Sequence, residues 1–117
     1  SPLSTRADGL VVGEGGGCFL LKRLEDAERD GDDILGVIAG IGLSNDREGG
    51  LLAPASEGQL RAMRAAYEQA GWRPGDVRLI ECHATGTPVG DAVELRSLRE
   101  LWKGEAGRAV IGSVKSN

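Results

Sequence analysis

His83 is the only histidine in the chain, and it lies in Glu81-Cys82-His83-Ala84-Thr85-Gly86-Thr87-Pro88-Val89-Gly90-Asp91, where an apolar run gives way to a polar, glycine-containing turn. Imidazole is the side chain whose ordinary pKa falls near neutral pH, so proton chemistry in this protein points first to His83. Thr85 and Thr87 follow it with one glycine between them. Each hydroxyl both donates and accepts hydrogen bonds, and the glycine allows close backbone approach, which suits a polar ligand bearing amides. A plainer part stays open for the same residues: His83 capping a turn, with the threonines bonded to their own backbone. Cys82 and His83 do not read as a nucleophile and its base, because neighbouring strand residues point to opposite faces. Cys82 reads as a core thiol.

The element that must position His83 is the run Val77-Arg78-Leu79-Ile80-Glu81-Cys82, a short strand whose end would present it where ligands bind in α/β folds. A helix begun by Asp91, with Glu94 three residues later, follows and buries Leu95, Leu98, Leu101 and Trp102. Asp91 and Glu94 are what capping and the helix dipole ask for, and both are read as structural. A strand over Ala109-Val110-Ile111-Gly112-Ser113-Val114 comes last.

Earlier in the chain, residues 1–14 read as irregular and feed a strand at Gly16 to Leu21, whose continuous apolar run suits cover on both faces. Glu25 to Asp30 is helix-compatible and closes at Gly31. Ile34 to Leu43 reads as a long buried strand whose glycines suggest close approach of a neighbour or ligand. After a loop from Ser44 to Ala55, Ser56 and Gln59 have the spacing of a capping box. The helix behind it carries Leu60, Met63, Tyr67 and Ala70 on one stripe and ends at Gly71, before the turn Arg73-Pro74-Gly75-Asp76. Strand, helix, strand, helix, strand predicts a parallel or mixed sheet covered by helices, an α/β fold.

Composition narrows the function classes. The 117 residues suffice for one domain, with no internal repeat or low-complexity linker. Fourteen basic against 18 acidic residues, interleaved, leave a net charge of −4 and no basic tract for nucleic acid or anionic membrane. Cys18 and Cys82, both in apolar surroundings, fit reduced core thiols better than a disulfide framework or a metal site, and no zinc-like spacing exists. The N-terminal residues lack a signal pattern and no apolar run approaches the roughly 20 residues that span a bilayer, so the cytoplasm is the expected compartment. Gly13-Glu14-Gly15-Gly16-Gly17 fails both the P-loop and the dinucleotide spacing, and its glycines are expected to permit tight backbone packing.

Residues Glu81 to Glu94 resemble the first histidine motif of the β-ketoacyl synthases, which usually reads Glu-Ala-His-Gly-Thr-Gly-Thr, then Gly-Asp and a glutamate. Three further segments resemble that family in the same order: residues 7–17, Leu20-Leu21-Lys22-Arg23-Leu24, and Gly112-Ser113-Val114-Lys115-Ser116-Asn117. The resemblance implies a partial thiolase-like fold, with residues 1–117 supplying the end of its first half and most of its second. It also implies that the nucleophilic cysteine lies upstream and that a second histidine follows Asn117, so that this stretch alone is inactive. Residues Leu43 to Pro54 look more like modular polyketide synthases than stand-alone fatty acid enzymes.

On that resemblance the activity is acyl transfer from a carrier phosphopantetheine to cysteine, decarboxylation of a malonyl thioester, and attack of the carbanion on the acyl-enzyme. His83 would be catalytic in the later steps, directing an imidazole N–H at the thioester oxygen as charge builds there. Lys115 matches the lysine that orients the histidines and adds positive potential; Thr85 and Thr87 match the threonines that bind the pantetheine arm. The implied partners are an acyl carrier protein, whose phosphopantetheine is the substrate carrier, and a second copy in a homodimer; no metal or directly bound cofactor is implied. Cys82, Ala84 and Ala92 depart from the usual alanine, glycine and proline. Ala84 requires an ordinary backbone region or some strain. The alternative is a non-catalytic thiolase-fold partner subunit that sets chain length.

Overall fold

A computed structural model describes residues 2–9, 12–45 and 55–116. Its elements in chain order are α1 (Leu24–Asp30), α2 (Ser56–Ala70), β1 (Leu79–Glu81), α3 (Pro88–Leu101) and β2 (Val110–Gly112), with short 3-10 turns at Pro74–Asp76 and Val114–Ser116. β1 and β2 pair in parallel, with Leu79 opposite Val110 and Glu81 opposite Gly112. Parallel neighbours need a crossover, and α3 supplies it. The expected α/β order around His83 is therefore present. It forms a βαβ unit whose two strands end on the same side.

Helix α3 starts three residues earlier than the sequence suggests. Pro88 takes the first helical position, where its missing N–H costs nothing, and Thr87 is the N-cap residue. Asp91 thus lies inside the first turn and is buried. Helices α2 and α3 pack on each other, with Tyr67 edge-on to Trp102 at a centroid distance of 6.1 Å. Cys82, Ala84 and Leu98 are buried together, with Leu3, Met63, Ile80 and Trp102 packed around them. The loop after β1 is therefore part of the small core.

Ser56 does not cap α2. Ala55 is the N-cap residue, and the Ser56 hydroxyl turns instead to the fully buried Ser97 of α3, 2.8 Å away. Since Ser97 donates to the Val93 carbonyl, Ser56 is the donor between the two helices. Gly31 and Gly71 close α1 and α2 in the left-handed region, as expected, at φ 71° and 68°. In α1, Asp26 in the first turn and Arg29 in the last suit the helix dipole and pair with each other at 2.6 Å.

Two expected strands are absent. Gly16 to Leu21 is coil with Phe19 and Leu20 more than nine-tenths exposed, and Ile34 to Leu43 is also coil. An apolar run becomes a strand only where a neighbour completes its ladder, and among the described residues only β1 and β2 are paired. Gly13, Gly15, Gly16 and Gly17 have open space where a Cβ would stand, so the expected tight packing there is absent among the described residues. The glycines of the second run do meet a neighbour. A Cβ on Gly40 or Gly42 would collide with the carbonyls of Ala66 and Ala62 in α2. The two glycines thus meet carbonyls four residues apart, about one turn or 6 Å along α2. Gln69 fixes the register by accepting the Ile41 N–H at 2.6 Å. Most of the expected loop over Ser44 to Ala55 lies outside the described residues.

Candidate active site

Because β1 and β2 are parallel and in register, the residues just past each strand emerge side by side. His83 lies two positions beyond β1 and Lys115 three beyond β2. Two cross-ties join the exits. The Glu81 carboxylate accepts the Val114 N–H at 2.8 Å, and the Lys115 ammonium donates to the Cys82 carbonyl at 3.1 Å. Lys115 thus reaches the peptide that introduces His83. The His83 side chain is exposed beyond the carboxyl end of the sheet, the place where open α/β sheets bind ligands.

The loop bearing His83 is fixed from α3. The two Glu94 oxygens accept the successive backbone N–H groups of His83 and Ala84, at 2.7 and 2.8 Å. Ala84 adopts a positive φ of 37°, the strained alternative expected where the family usually has glycine. One turn earlier in α3, Asp91 accepts the N–H groups of Gly86, at 3.1 Å, and Leu3, at 2.7 Å. Gly9 also donates to the Gly86 carbonyl at 2.9 Å, which straps residues 3–9 across the turn. Asp91 and Glu94 are structural, as expected, but they hold the active loop rather than cap the helix.

Thr85 and Thr87 lie on this loop, half-buried, with hydroxyls 3.1 Å apart. Thr87 is an N-cap residue whose hydroxyl makes no cap hydrogen bond. One mutual bond between two hydroxyls uses a single hydrogen and leaves a donor and several lone pairs for a ligand. Cys82 is buried beneath, and burial, followed by the Glu94 charge, pushes its thiol pKa up. A protonated, buried thiol is no nucleophile, so its reading as a core thiol holds. Cys18, expected in the core as well, is exposed, because among the described residues the apolar run that carries it has no neighbour to cover it. Among the described residues no three His, Cys, Asp or Glu side chains form a metal-binding group, and no helix is long and apolar enough to cross a membrane. The apolar hollow between residues 37–40 and α2 shares no residue with this cluster.

Three contributors were not foreseen: the clamping part of Asp91 and Glu94, the Glu81 tie to Val114, and the place of Gly90 beside the Thr87 hydroxyl. A signal for the first existed. Asp91, Glu94 and Leu98 share one stripe at spacings of three and four, and carboxylates on a stripe that turns inward need donors there.

Residues 35–117 match the C-terminal domain of β-ketoacyl synthases, and the chain belongs to that family. Its fold is accordingly a partial thiolase-like one, and its kin are ketosynthase domains of the polyketide synthase type. It is 49% identical over 115 residues to a phenolphthiocerol/phthiocerol polyketide synthase of Mycobacterium tuberculosis, a match covering 95% of this chain and 6% of that protein. It is 44% identical to a polyunsaturated fatty acid synthase of a Thraustochytrium species, over 95% of this chain and 4% of the relative. Among solved structures it superposes on the ketosynthase of module 1 of the bacillaene synthase from Bacillus amyloliquefaciens, with TM-score 0.91 and 37% identity over 99% of this chain and 23% of that one. A PfaC ketosynthase–chain length factor matches with TM-score 0.94 and 46% identity, over 100% of this chain and 13% of its own. The chain spans a small part of each of these relatives.

Proposed function

We propose that this chain contributes the His83 side of a β-ketoacyl synthase active site that catalyses decarboxylative Claisen condensation in polyketide or fatty acid synthesis. The observation that supports it best is the convergence of the exits of β1 and β2, which brings Lys115 onto the peptide preceding His83. In this reading an acyl group first passes from a carrier thioester to a cysteine outside these residues. A malonyl-type extender on the carrier then loses CO2, and the electron pair of the broken C–C bond becomes an enolate. Its carbon attacks the acyl-cysteine carbonyl and expels the thiolate.

His83 acts in the decarboxylation and condensation, donating an N–H to the thioester oxygen as negative charge develops. Lys115 keeps the His83 peptide in place and adds positive potential at the same edge. Thr85 and Thr87 bond the amides of the phosphopantetheine arm. The partners are an acyl carrier protein and a second copy of the polypeptide in a homodimer, in the cytoplasm. Residues 1–117 form the end of the first and most of the second thiolase-like half.

The likeness to the PfaC ketosynthase–chain length factor favours a second reading, a non-catalytic partner of an active ketosynthase. The presence of His83, Thr85, Thr87 and Lys115 supports the catalytic one. Intact-mass spectrometry of the polypeptide that contains this chain, incubated with an acyl-carrier thioester and then malonyl carrier, separates them. Catalysis requires an acyl adduct that is consumed on elongation; a folded protein that never acquires an adduct is the non-catalytic partner.

A further inference from the structure

Gly90, in the first turn of α3, faces the threonine pair. A Cβ built on it would stand 2.5 Å from the Thr87 hydroxyl oxygen and 3.7 Å from that of Thr85. The first distance is far inside contact range and would force the Thr87 side chain to turn. Nothing about the backbone at Gly90 demands glycine, since it is helical and is not among the residues with positive φ. By helix propensity alone, alanine would be the better residue at this place. What the missing side chain leaves is room for the Thr87 oxygen, which forgoes the helix cap and pairs with Thr85 instead.

We infer that Gly90 is a positioning residue for amide recognition: its bare Cα is the slot that lets the Thr87 hydroxyl pair with Thr85 and present their free hydrogen-bonding capacity to the ligand. This rests on the proposed reading of the threonines as pantetheine-arm ligands. With any side chain at position 90, Thr87 rotates and the hydroxyl pair breaks.

The test uses the polypeptide that contains this chain, as wild type, Gly90→Ala, Thr87→Ala and the double variant. Transfer kinetics are measured on a pantetheine thioester and on a plain alkyl thioester lacking amides. Loss of one neutral hydrogen bond predicts that Gly90→Ala raises KM about threefold to tenfold for the pantetheine substrate and leaves kcat and the amide-free substrate unchanged. In the Thr87→Ala background the oxygen is gone, so adding Gly90→Ala should neither raise KM nor lower the melting temperature. Should Gly90→Ala alone fail to fold while the double variant folds, the collision is confirmed directly. Equal losses on both substrates, or a Gly90→Ala penalty that persists without the Thr87 oxygen, would overturn the inference. A Thr87→Ala protein that discriminates between the substrates as wild type does would instead sink the threonine reading, and the inference with it.

Discussion

Replacing Glu94 by glutamine keeps the size of the side chain and removes one of its two acceptors. Both carboxylate oxygens accept backbone N–H groups, from His83 and Ala84, at 2.7 and 2.8 Å. The amide of glutamine can satisfy one of them, and then turns its own N–H2 toward the other. A hydrogen bond to a charged acceptor contributes about 1.5–3 kcal/mol, and the exposure of His83 argues for the lower end. About 1.5 kcal/mol corresponds to roughly tenfold in the population of the loop conformation that presents His83. In the proposed mechanism the acylation of the upstream cysteine does not use His83, whereas decarboxylation and condensation do. Single-turnover assays of Glu94→Gln should therefore find acyl-adduct formation unchanged and elongation slowed about tenfold. Elongation at the wild-type rate would refute the clamp. A parallel fall in both half-reactions would show general disorder instead of a misplaced histidine.

Further predictions follow from the backbone contacts and the buried thiol. Ala84→Gly relieves a positive φ worth about 1–2 kcal/mol but loses a buried methyl and adds chain entropy, each about 0.4–1 kcal/mol, so its melting temperature should stay within a few degrees of wild type. Ala84→Val, β-branched at that φ, should be destabilised by more than about 2 kcal/mol in a urea titration. Gly42→Ala drives a methyl into the Ala62 carbonyl and should loosen residues 37–43 from α2, seen as faster amide exchange at Ile41; Gly36→Ala meets open space and should be neutral or stabilising by about 0.4–1 kcal/mol. Because burial raises the Cys82 pKa, the unfolded chain releases that proton first as pH rises, so this contribution to stability is intact below an ordinary thiol pKa of about 8.5 and declines above it. Cys82→Ala should flatten that alkaline decline, and iodoacetamide should label exposed Cys18 well before Cys82 in the native protein.

The order of elements around the site was legible because each left a local mark: an apolar run before His83, a 3.6-residue stripe in α3, and Gly71 at the end of α2. The strands at Gly16 to Leu21 and Ile34 to Leu43 were not, since hydrophobicity reports a wish to be buried and only a paired neighbour turns it into a ladder. Gly40 and Gly42 did announce a close neighbour, though not that it would be a helix. At the site, residue types and spacing pointed to His83, Thr85 and Thr87, and the family resemblance alone to Lys115. Of the means of holding them, the two carboxylates of α3 gripping the loop left a stripe in the sequence, whereas Glu81 and Lys115 crossing between strand ends depend on parallel register. No run of residues displays register.

The most direct test of the account is CO2 release from malonyl carrier by the acylated polypeptide, wild type against His83→Ala. If His83 donates to the developing enolate, the acyl adduct should form to full stoichiometry in both, while decarboxylation in the variant falls on the order of 10²–10³-fold. Unchanged CO2 release from a fully acylated His83→Ala protein would contradict it.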